Sequence, residues 1–133
     1  MKDQVTSIEQ SKRLIGMGVP AEKASMIYQS HFTQGVPKLY AQPYQRNGYP
    51  PKEKIREDVV PAFTVADLLG LLPPKISCQD PSDGNFRMRR YMGENGIEWV
   101  VDYDRFIAND VSIINVLVEA IILLVSTKHE LNI

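Results

Sequence analysis

The chain has 133 residues, 44% of them hydrophobic and 23% charged, with 15 lysines and arginines against 16 aspartates and glutamates. That composition belongs to a folded chain of one domain over residues 1–133; it excludes disorder despite nine prolines, and it supplies no net field to draw in nucleic acid or an anionic membrane. The single cysteine, Cys78, excludes an internal disulfide, and the start Met-Lys-Asp-Gln-Val has no apolar signal core, so a reducing, cytoplasmic setting is expected.

Taken in chain order, the first predicted element is a short helix. Thr6 and Glu9 can form a capping box, Ile8, Leu14 and Ile15 are its apolar positions, and Gly16 and Gly18 end it. A second short helix is expected to begin at Pro20, a residue well suited to a first helical position. From Tyr28 to Pro61 the pattern dissolves. Pro37, Pro43, Pro50, Pro51 and Pro61 break any long element, and Tyr28, Phe32, Tyr40, Tyr44 and Tyr49 are scattered between them, so a long Pro/Tyr-rich loop is predicted.

Within that loop lies a basic and aromatic arm. Lys38, Arg46, Lys52, Lys54 and Arg56 face only Glu53 in opposite charge, and Tyr40, Tyr44 and Tyr49 interleave with them. Rings of this kind stack bases while cations neutralise phosphates, which makes Lys38, Tyr40, Tyr44, Arg46, Lys52, Lys54 and Arg56 the candidate nucleic-acid set. The plainer reading is preferred: tyrosines covering the core beside solvated lysines.

Thr64 and Asp67 mark the next helix start, Phe63 is placed to staple onto Leu68, and Pro73-Pro74 ends the segment. After an expected strand from Lys75 to Gln79 comes a hairpin, with Asn95-Gly96 as its two-residue loop. One predicted face pairs Met92 with Trp99, Arg90 with Val101 and Met88 with Tyr103, which puts Trp99 in the core. The other pairs Tyr91 with Val100 and Arg89 with Asp102, and Arg87 and Asp104 extend its charges.

The segment from Asp110 to Glu130 is apolar around most of a helical circumference. Ser112, Asn115, Glu119 and Ser126 form one water-facing stripe, so Val116, Leu117, Ala120 and Leu124 are expected to face a sheet. The flanks Ile114, Val118, Ile121 and Val125 also need cover, which makes them the candidate interface of a homodimer. Interrupted by Asn115 and Glu119, the run falls short of the roughly 20 apolar residues a bilayer demands, and no membrane contact is expected. The fold class that follows is α+β: a small antiparallel sheet packed by a C-terminal helix, with short N-terminal helices.

The strings VVPAFTVADLLGLLPPKI and DVSIINVLVEAIILLVSTKHELN, with a Trp-bearing hairpin between them and SKRLIGMGVPAEKASMIY before, resemble a group of small bacterial proteins of prophage or mobile-element type. The resemblance implies a fold and a setting but no activity.

Reactive chemistry finds little footing. Cys78 and His31 are the one thiol and imidazole that a fold could pair, and two histidines with one cysteine do not make a zinc set. Asp102 and Asp104 share a strand face, but arginines across the hairpin make them paired surface charges and not an acid and base couple. None of Gly16, Gly18, Gly93 and Gly96 leads into a phosphate-binding Lys-Ser or Lys-Thr. The expectation is a non-enzymatic interaction or structural protein without cofactor or metal, its partner another protein or a second copy. The alternative is a nucleic-acid-binding accessory protein.

Overall fold

The structure, a computed structural model, describes residues 4–29, 37–41, 59–76, 84–94, 96–103 and 106–133. They fall into two compact units, Met1–Asp67 and Leu68–Ile133. The fold is α+β, with one three-stranded antiparallel sheet in each unit.

In the first unit helix α1 (Ile8–Gly16) begins one residue later than the sequence predicts. Ser7 is the cap: its hydroxyl accepts the Gln10 N–H while the Gln10 side chain accepts the Ser7 N–H. Thr6 is thereby released into the core. Its hydroxyl lies 2.7 Å from Ser11 Oγ and accepts the Phe63 N–H at 3.0 Å. Its own N–H donates to the Phe63 carbonyl at 2.9 Å, and its carbonyl accepts the Tyr28 hydroxyl at 2.7 Å. The end of α1 is set by Gly18 at φ +103, where the Gly18 and Val19 amides turn back onto the carbonyls of Ile15 and Leu14.

The helix expected at Pro20 contracts to a single 3₁₀ turn over Ala21–Lys23, and the chain leaves it extended. Among the described residues, the stretch read as loop and its immediate flanks hold three four-residue strands, β1 (Met26–Gln29), β2 (Lys38–Ala41) and β3 (Val59–Ala62), in the order β2-β1-β3. Met26 pairs with Ala62 across a long interval of sequence, so no local signal specifies the pairing. Pro61 is tolerated because β3 lies at the sheet edge.

Helix α2 (Val65–Leu71) starts as its sequence predicts, with Thr64 and Asp67 exchanging backbone-to-side-chain bonds of 2.9 and 3.1 Å. The Asp67 carboxylate also accepts the N–H and hydroxyl of Ser25. Of the expected strand from Lys75 to Gln79, a single bridge between Lys75 and Asn85 is formed, and residues 77–79 lie outside the described residues.

In the second unit β4 (Arg87–Gly93), β5 (Gly96–Tyr103) and β6 (Phe106–Asp110) run antiparallel in sequence order, and α3 (Ile113–Ser126) packs against β5 and β6. The hairpin lies where the sequence puts it, but its register differs. Gly93 pairs with Gly96, which stands at φ +105, so the loop falls one residue earlier and the strands slide by two. A two-residue slip keeps every side chain on its face, so apolar alternation cannot detect it. Charge and ring contacts distinguish the two registers. In the one adopted, Arg87 Nε donates to Asp102 Oδ1 at 2.9 Å, and the Arg90 guanidinium stands 5.0 Å from the Trp99 ring centre. Trp99 itself is half-buried and not a core residue. The core of that face is Val101, Tyr103 and Ala108, each no more than 2% exposed.

Tyr103 packs its ring on Phe86 at 5.5 Å and donates its hydroxyl to the Pro73 carbonyl at 2.6 Å. Helix α3 is capped by Ser112 Oγ on the Asn115 N–H, and ends with Lys128 at φ 64, its amide on the Val125 carbonyl and that of His129 on Leu124.

Thr6→Val should leave the Phe63 N–H without its acceptor and destabilise the protein by about 1 to 3 kcal/mol, with Thr6→Ser recovering most of the loss. Urea unfolding of the two variants measures it. Burial raises the Tyr103 phenol above its ordinary value, and the Tyr28 phenol likewise. The unfolded chain therefore gives up these protons first, near pH 10, and the stability present below that pH falls as pH rises further. Tyr103→Phe should flatten this alkaline decline in a series of melting temperatures taken from neutral pH upward.

Candidate interaction surface

Because α3 covers one side of the second sheet, the other side carries what the helix cannot. Period-two alternation places Arg87, Arg89 and Tyr91 of β4, Glu98, Val100 and Asp102 of β5, and Ile107 and Asn109 of β6 on that face. The register aligns them in cross-strand rows: Arg87 with Asp102 and Ile107, Arg89 with Val100 and Asn109, Tyr91 with Glu98.

Each row has its own chemistry. Asp102 is 8% exposed at its side chain and Arg87 is 65% exposed, so a nearly covered carboxylate is held by a guanidinium that reaches in from water. Such an acid is tolerated only with a partner, which makes Arg87 structural at its Nε end. Tyr91 donates its hydroxyl to Glu98 Oε2 at 2.5 Å, and the Asn109 amide approaches the same oxygen at 3.5 Å. The bond to Glu98 holds the phenol proton and lifts the Tyr91 pKa above its usual value. Between these rows Arg89 lies opposite the apolar Val100 and has no ion pair among the described residues. Arg89, Tyr91, Val100, Ile107 and Asn109 line a concavity of about 360 Å³, and Tyr91 and Ile107 are 42% and 59% exposed.

Of the predicted nucleic-acid set, Lys38 and Tyr40 occupy alternate positions of β2, both exposed, on one face of the first sheet. Tyr44, Arg46, Lys52, Lys54 and Arg56 lie outside the described residues, as do His31, Cys78 and Asp104. Among the described residues no three His, Cys, Asp or Glu side chains cluster to hold a metal, and no helix is long and apolar enough to cross a membrane.

Of the predicted helix stripe, Asn115, Glu119 and Ser126 are exposed while Ser112 is half-buried as the N-cap, and the opposite row Val116, Leu117, Ala120 and Leu124 is buried. The candidate dimer patch is corrected. Ile114, Val118 and Ile121 are 2%, 4% and 0% exposed in the single chain, and Val125 alone of the four is partly open. The flanks find their cover without a second copy.

Sequence reading passed over the open sheet face because it accounted for Arg87, Arg89 and Asp102 as mutually neutralised surface charges. The signal that locates the surface is Tyr91 two residues beyond Arg89, with Val100 opposite: an aromatic and an apolar floor within a run of charges.

Comparison with known proteins finds no matching family model, curated relative or solved structure.

Val118→Glu should place an unpaired carboxylate in the single-chain core. Its expected effect is loss of most of a stability that for a domain is about 5 to 15 kcal/mol, with no folded monomer released from a dimer. Circular dichroism with sedimentation checks this; a folded variant of smaller mass than the wild type would reinstate the patch as an interface.

Proposed function

We propose that the protein is a non-enzymatic protein-interaction domain, and that it binds its partner through the open side of the second sheet. The observation that carries this reading is the composition of the face opposite α3: exposed Tyr91 and Ile107 over a Val100 floor, beside Arg89, whose guanidinium has no ion pair among the described residues. Aromatic and arginine side chains set among apolar ones are what protein interfaces enrich, because each combines large contact area with directed hydrogen bonds. The single cysteine makes the reducing interior of a cell the natural place for such a domain.

A photoreactive benzoylphenylalanine introduced at Ile107, with a second at the exposed Glu119 of α3 as control, tests the reading in the cells that make the protein. Discrete protein adducts are expected from position 107 and none from 119. Adducts with nucleic acid from position 107, or equal yields from both sites, would overturn it.

A further inference from the structure

Helix α3 lies over β5 and β6, which leaves β4 as an outer strand that is open on more than its edge. Its open-face residues Arg89 and Tyr91 are exposed, and so are Arg90 and Met92 on the face that α3 covers elsewhere; Met92 is 75% exposed. Residues 74–76 pair with 84–86 just before β4, and along the outer edge of Arg87–Gly93 itself alternate backbone N–H and C=O groups point away from β5 with no strand beside them among the described residues. The strand has seven residues, no proline and no acid, and it carries Arg87, Arg89 and Arg90. Arg87 is committed to Asp102, while Arg89 has no ion pair among the described residues and Arg90 rests on Trp99.

We propose that β4 accepts an extended acidic segment of a partner protein as a fourth strand of the second sheet, pairing antiparallel along Arg87–Gly93. The proposal rests on the interaction reading above and supplies its partner chemistry. Main-chain hydrogen bonds to the free edge give the register, and carboxylates opposite Arg89 and Arg90 give the selectivity. Charge complementarity also selects against the nearest competitor, a second copy of this chain. A two-fold pairing centred on Arg89 or Arg90 sets that guanidinium against its own image, and like charges directly opposed destabilise a strand pair. An acidic strand removes the same repulsion.

The test uses the full chain, isotopically labelled, and a synthetic peptide of the strand's own length, Thr-Val-Thr-Glu-Glu-Val-Glu, which sets glutamates opposite Arg90, Arg89 and Arg87 and valines opposite Met92 and Met88. The expected result is a set of amide shifts confined to β4, with slowed hydrogen exchange of its outward amides. Affinity should fall with added salt. A peptide with lysines in place of the glutamates, and one N-methylated along the pairing edge, should not bind. R89E with R90E should weaken the acidic peptide at least about tenfold.

Retained binding by the N-methylated peptide would reduce the effect to charge adsorption and overturn strand addition without recourse to any protein variant. Tighter binding of a short deoxythymidine oligonucleotide than of the acidic peptide would overturn the partner class. Protein adducts at position 107 with no β4 pairing would leave the interaction reading standing and dispose of this one alone.

Discussion

The second unit is organised by the need to cover α3. Seven of its fourteen residues, Ile114, Val116, Leu117, Val118, Ala120, Ile121 and Leu124, are buried, and they occupy more of the helix circumference than a single stripe. Each of the buried Val, Leu and Ile side chains among them is worth about 1.5 to 3 kcal/mol, so their cover outweighs any surface contact in the unit. The sheet answers that demand with Val101, Tyr103 and Ala108, and is fixed at its far end by the Tyr103 hydroxyl on Pro73. A phenol buried this way must have its acceptor, and it fixes the turn after α2 against the sheet.

The same constraint leaves β4 without helix cover. The cover concentrates on the two strands nearest α3, and β4 is held instead by side-chain pairs with β5: Arg87 to Asp102, Arg90 over Trp99 and Tyr91 to Glu98. Beyond the backbone ladder to β5, polar and ring contacts thus take the place of burial in holding the strand. Individually they are weak, and three of them in alternating faces along one strand are what set the register that apolar patterning leaves open.

What the sequence made legible follows the range of the interactions involved. Helix α3 was readable because Asn115, Glu119 and Ser126 recur at helical spacing, and the hairpin because Gly96 and strand alternation agree over a short interval. The Thr64 and Asp67 cap was readable for the same reason, since both partners lie within one turn. The first sheet was not. Its strands are four residues each, and Met26 finds Ala62 only through tertiary packing, which no local period encodes. Thr6 illustrates the finer failure: it has the chemistry of a cap and lies one residue from the cap position, but Ser7 takes that place while Thr6 closes bonds to Ser11 and Phe63. The dimer patch failed because a helical wheel shows which side chains need cover without showing how much cover the rest of the chain provides.

The candidate surface was legible in parts that did not add up without the register. With Arg89 opposite Asp102 the face is neutral and closed; with Arg87 there instead, Arg89 lies opposite Val100 and its charge is left unspent within the strand pair. A two-residue slide therefore changes no side chain's face and yet decides which guanidinium is structural and which is available. Arg87 cannot be removed without uncovering the Asp102 carboxylate, and Arg90 cannot be removed without releasing Trp99. Arg89 has neither tie. It is the residue on this strand at which recognition separates most cleanly from folding, because a change there alters what the surface offers a partner while leaving the hairpin's own contacts in place.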